Sequence, residues 1–190
     1  MQYLALGIRC LIGAVFVVSS ASKVAGRGAF GAFAASVRDM RLLPPRLARP
    51  VARGVVVTEF AICALVVSPA AAAAGLTLAA MLLGVFAAGI TLAVRRGVRA
   101  PCRCFGVSAT PLGPRQIARN LVLAAVAVLG AVCGALPTAG AVRWGGAAVA
   151  VSGGLLLGGL VAVLDDICEL YRPVPVADGR PRASAARGES

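Results

Sequence analysis

The segment Pro101-Cys102-Arg103-Cys104-Phe105-Gly106 sets two thiols one residue apart in a chain of 190 residues. The thiolate is the reactive form of cysteine, and Arg103 and Arg99 supply positive charge that would stabilise it. A disulfide across a single residue is tight, and strained disulfides have more oxidising potentials, so such a pair suits electron exchange better than stapling. Gly106 would permit a turn with positive φ, and Phe105 would anchor that turn at an interface. Two other readings stay open: idle thiols at a helix end, or half of a metal site. With no histidine in the chain, a zinc site would need Cys168, Asp165 or Asp166 to complete four ligands. The expectation is a redox pair with no metal.

Glu59 is the second residue that calls for a reason, because it lies inside an apolar run where an unpaired carboxylate costs several kcal/mol. Its candidate partners are Lys23, Arg119 and Asn120. It would serve as a proton acceptor or quinone contact coupled to the thiols, or as an interhelical hydrogen bond that fixes packing. Cys63 reads as a small buried hydrophobe. Cys10 and Cys133 fall toward one end of the helices and Cys168 toward the other, which makes a thiol relay conceivable.

The elements that position these residues are membrane helices. The chain is 59% hydrophobic and 14% charged, with a mean hydropathy of +0.91, too apolar for an ordinary soluble domain of this length. A hydrocarbon core about 30 Å thick needs roughly 20 apolar residues per helix. Five stretches qualify, at about 3–22, 51–68, 76–94, 117–136 and 142–164. Pro69, the alanines 70–74 and Gly75 separate the second and third only weakly, so a tight helical hairpin is expected, with four spans as the alternative. Between the first two spans, Phe30, Phe33, Val37 and Met40 recur at helical spacing and predict a short interfacial helix over about 28–42. Past Tyr171 the composition turns to Pro, Ala, Gly, Ser and Arg, which predicts a disordered cytoplasmic tail over 173–190 behind a transmembrane domain of 1–172.

Basic residues set the expected orientation. Lys23, Arg27, Arg38, Arg41, Arg46, Arg49 and Arg53 lie near one connection, and Arg95, Arg96, Arg99, Arg103, Arg115 and Arg119 near another on the same side. The opposite side has Arg9, reaching the outer surface, and Arg143. An outside N-terminus and a cytoplasmic C-terminus in the plasma membrane follow. The formal charge of +12 is then accounted for by topology and anionic lipid, with no nucleic-acid motif present. An alternative start, in which Leu4–Val18 and Ser19-Ser20-Ala21 form a cleaved signal peptide, is disfavoured by Arg9 within the apolar core.

Taken together, Ser22-Lys23, the aromatic interfacial segment, Leu43-Pro44, Glu59, Cys102-Arg103-Cys104-Phe105-Gly106 and Arg119-Asn120 resemble the MauE family, which is related to DoxX-like membrane proteins. The resemblance runs over roughly Leu4 to Leu164, and Arg103 stands where the family pattern has a small residue. It implies an all-α, polytopic, DoxX-like membrane helix bundle. It also implies an accessory role in methylamine metabolism, in maturation of methylamine dehydrogenase, a periplasmic enzyme with a disulfide-rich small subunit.

The combined expectation is a membrane accessory protein that exchanges disulfides through Cys102 and Cys104. Glu59 is the candidate proton acceptor, and Lys23, Arg103, Phe105, Gly106, Arg119 and Asn120 support the site. Its partners would be membrane lipid, a thioredoxin-like protein and a disulfide-containing client. Whether the chain is itself an enzyme stays open; if so, it is a thiol–disulfide oxidoreductase. The alternatives are a quinone-linked membrane oxidoreductase, with quinone as cofactor, and a non-catalytic scaffold or transporter.

Overall fold

The computed structural model describes residues 1–98, 113–136 and 143–163 in full, and the backbone at 101–102, 110–111 and 164–170. The elements in chain order are α1 (Gln2–Val24), α2 (Ala29–Asp39), α3 (Pro45–Val67), α4 (Ala72–Arg95), β1 (Pro101–Cys102), β2 (Thr110–Pro111), α5 (Pro114–Ala135) and α6 (Trp144–Leu170). Five of the helices are long and apolar enough to cross a membrane, with α2 the exception. A helix satisfies all its interior backbone polar groups within itself, which is why apolar stretches of this length take that form in lipid. The all-α, five-span architecture expected from the sequence is therefore the one found.

The second and third spans form the expected hairpin. Gly75, early in α4, lies so close to α3 that a Cβ there would come within 2.9 Å of side-chain atoms of Leu65 and Val66. The helix ends differ from the apolar runs. Helix α3 begins at Pro45 and takes Arg46 and Arg49 into its first turns ahead of Arg53, so it starts well before the apolar run that opens at about residue 51. Proline at the first helical position lacks only an N–H that would be unpaired anyway, so Pro44-Pro45 opens the helix rather than blocking it.

Helix α1 is the hub, packing against all five other helices, while α6 packs principally on α1. The core joins Ile8, Ile12, Val15 and Phe16 of α1 to Ile62 of α3, Leu76 and Leu83 of α4, and Leu123 and Ala127 of α5. Hydrophobicity does not drive helices together inside lipid, so close approach through small residues matters more. Gly130 of α5 seats Ile8 of α1, and Gly154 and Gly158 of α6 lie against the Gly7 and Leu11 carbonyls. Arg9 does not simply reach outward: its guanidinium donates to the carbonyls of Val66 at 2.8 Å and Val67 at 3.0 Å, closing the end of α3. Four C-terminal carbonyls of any helix lack intrahelical partners, and a cation is favoured there.

Helix α2 is less of a free interfacial anchor than its pattern predicts. Gly26 and Gly28 adopt φ of +111° and +90°, turning the chain back so that Phe33 and Ala34 pack on Ala52 and Val56 of α3.

Candidate functional site

Lys23 and Ser19 are one turn apart on α1, and both are buried. Glu59 reaches them from the middle of α3. Its Oε1 lies 2.8 Å from Lys23 Nζ and accepts a hydrogen bond from the Ser19 hydroxyl at 2.9 Å. Lys23 Nζ also lies 2.7 Å from Ser19 Oγ, which closes a three-membered cluster. Two charges withdrawn from water cost several kcal/mol each unless they are paired and hydrogen-bonded, and this arrangement supplies both conditions. The Phe33 ring of α2 covers the ammonium, with its centroid 5.0 Å from Nζ. A cation over an aromatic face is attracted by the ring quadrupole.

The cluster continues on α5. Ile8 packs at Gly130, and counting back from that contact along antiparallel α1 and α5 brings Ser19 to within a residue of the level of Asn120 and Lys23 to within a residue of Gln116. All four side chains are buried. A polar column thus enters the bundle from the end at which α1 and α4 finish and α3 and α5 begin. Asn120 is 0% exposed, and neither its Oδ1 nor its Nδ2 has a hydrogen-bond partner among the described residues; the same holds for Oε2 of Glu59. Buried polar atoms of native proteins are nearly always paired with protein or ordered water, so these three call for a partner beyond the described residues.

The β1–β2 ladder lies on the connection between α4 and α5 at that same end, pairing Pro101 with Pro111 and Cys102 with Thr110. Cys102 therefore sits on a short antiparallel ladder as far as its backbone goes. Its side chain, and Arg103, Cys104, Phe105 and Gly106, lie outside the described residues, as do the side chains of Asp165, Asp166 and Cys168 and the expected tail. Arg119 is half-buried, beside Asn120 on α5.

A family model, methylamine utilisation protein MauE, matches residues 1–133. The methylamine utilization protein MauE of Paracoccus denitrificans is 37% identical over 136 residues, covering 70% of this chain and 69% of that protein. The chain belongs to the MauE family. The matched span takes in α1 to α4 and α5 into its last turn, and includes Lys23, Glu59, Cys102, Cys104 and Asn120, whereas α6 lies beyond it. No solved structure matches the chain.

Of the residues singled out in this MauE-family chain, Lys23 and Glu59 are joined directly, and Asn120 is brought level with them on a neighbouring helix. Ser19 and Phe33 are additions. Ser19 stands four residues before Lys23, the spacing that puts two side chains on one helix face, and that spacing was the available signal. Phe33 was visible only as part of an apolar stripe, because nothing local to α2 announces which cation its ring will cover. Among the described thiols, Cys10 and Cys133 are not joined in a disulfide; Cys10 packs at Gly154, and Cys133 lines a cavity of about 300 Å³ at the opposite end.

Proposed function

We propose that this MauE-family protein is a membrane accessory factor of methylamine utilisation that exchanges disulfides through Cys102 and Cys104. The observation that carries the reading is the coincidence, at one bundle end, of the ladder bearing Cys102 and the buried polar column of Lys23, Ser19, Glu59 and Asn120. Ionisable residues inside a membrane are expensive and mark functional pathways.

In the exchange, a thiolate of the pair attacks a partner's disulfide, forming a mixed disulfide and releasing the partner's other sulfur, which takes up a proton. The second cysteine attacks the mixed disulfide, and the partner leaves as a dithiol while Cys102 and Cys104 become a disulfide. Two electrons and two protons pass from the pair to the partner; the reverse sequence oxidises the partner. Glu59, with Oε2 uncommitted, is the proposed proton acceptor for the attacking thiol. The basic end of the bundle faces the cytoplasm of the plasma membrane by the retention of Lys and Arg on that side. A thioredoxin-like protein is the partner there, and the disulfide-rich methylamine dehydrogenase small subunit is the client served by the pathway.

The Cys102→Ser, Cys104→Ser variant tests this reading. Growth on methylamine should fail, client disulfides should be incomplete, and membrane levels of the protein should stay normal. Unimpaired growth would support a scaffold or transporter instead. One observation favours a second reading, a quinone-linked oxidoreductase: the Asn120 amide and Glu59 Oε2, each buried without a partner among the described residues, are a donor and an acceptor of the kinds that a quinone and a hydroquinone pair with. Solvent extraction of purified protein followed by mass spectrometry tests it, and quinone retained by the native chain but lost in Asn120→Leu would favour it.

A further inference from the structure

One face of α3 changes character along its length. Arg46, Arg49 and Arg53 follow each other at intervals of three and four residues, and the same row continues as Val57, Phe60, Ala64 and Val67; all seven are exposed. Helical rise puts Arg46 and Arg53 roughly 10 Å apart along the axis. That row is long enough to cross the headgroup region of one leaflet, and the apolar continuation runs along the hydrocarbon. The opposite face of α3, from Ala48 and Ala52 to Glu59 and Ile62, is buried in the bundle, so the arginine row points away from the protein.

No carboxylate of the described residues neutralises this row. Asp39 stands 3.6 Å from Arg38, and Glu59 is sealed against Lys23. Three guanidinium groups at the edge of the hydrocarbon need counter-charge, and phosphate is the anion that a guanidinium binds bidentately. We infer that this face of α3 is a binding site for an anionic phospholipid, whose phosphate is held by Arg46, Arg49 and Arg53 and whose acyl chain lies along Val57, Phe60, Ala64 and Val67. A zwitterionic lipid presents its ammonium to the same cations and is disfavoured. A free phosphate meets the guanidinium groups but leaves the apolar half of the row unused.

Native mass spectrometry of the purified full-length protein, titrated with phosphatidylglycerol or phosphatidylcholine of identical chains, tests the site. Each cation near an anionic headgroup contributes about 1 kcal/mol, so the protein should retain phosphatidylglycerol at least about tenfold better. The Arg46→Gln, Arg49→Gln, Arg53→Gln variant should bring the two lipids to near parity, with helical content unchanged by circular dichroism. The Arg95→Gln, Arg96→Gln variant, altered at the same end of the bundle but on α4, should keep the preference. Equal retention of both lipids by the native chain would overturn the proposal, as would an equal loss in the α4 variant, which indicates diffuse attraction. Displacement of phosphatidylglycerol by millimolar inorganic phosphate would also overturn it, reassigning the row to a free anion. If the glutamine variant does not fold, Arg53→Gln alone serves as the second variant and should lower the preference about fivefold, the share of one cation.

Discussion

Lys23 Nζ stands 2.8 Å from Glu59 Oε1 in a position where the two side chains are 2% and 0% exposed, so α1 and α3 share an ion pair sealed from solvent. Removing one partner from such a pair strands the other, which costs more than the pair contributes. Lys23→Met should therefore destabilise the detergent-solubilised protein by about 3–5 kcal/mol. The double variant Lys23→Met, Glu59→Gln should recover much of that loss. Thermal unfolding of the single and double variants checks this, and additive losses would mean that the pair is not coupled.

Phe33 closes the cluster from α2, where it is 2% exposed. Phe33→Ala should cost about 3–5 kcal/mol through cavity formation. Phe33→Leu keeps most of the apolar volume and loses the interaction with the ammonium, a cost of about 0.5–2 kcal/mol. Amide hydrogen exchange across α2 should rise in both variants, and more in Phe33→Ala.

The attachment of α6 rests on backbone proximity to α1. A Cβ at Gly154 would collide with the Gly7 carbonyl and stand 2.9 Å from Cys10 Cβ, whereas one at Gly153 would meet nothing within 4 Å. Gly154→Val should displace α6, costing at least about 1–3 kcal/mol, while Gly153→Ala should be near neutral. Limited proteolysis of the connection between α5 and α6 distinguishes the two.

Arg9 ties α1 to the carbonyl end of α3 through Val66 and Val67. Hydrogen bonds to a charged group contribute about 1.5–3 kcal/mol. Arg9→Gln should lower stability by an amount in that range, and Arg9→Lys, which cannot span both carbonyls with a planar fork, by less.

The spanning helices were readable because lipid demands long apolar stretches and tolerates little else, so hydropathy alone carried the five-span architecture. Glu59 was readable for the converse reason, and its pairing with Lys23 was one of three candidates until helix packing selected it. The start of α3 was not readable: Arg46, Arg49 and the prolines around them look like a loop, and they are helical because Ala48, Ala52 and Val56 find burial there. Nor could spacing within one helix show that Asn120, an ordinary amide near the start of α5, would be buried close to the level of Ser19. That relation depends on the antiparallel register fixed by Ile8 and Gly130.

The central claim is that Cys102 and Cys104 cycle between thiol and disulfide. The most direct test is to replace Cys10, Cys63, Cys133 and Cys168 with Ser and label the remaining two thiols in cells with a maleimide, before and after reduction and with and without permeabilisation. Labelling that needs permeabilisation and increases on reduction is the predicted result. Full labelling without a reductant, unchanged when the partner's disulfide is supplied, would contradict the claim.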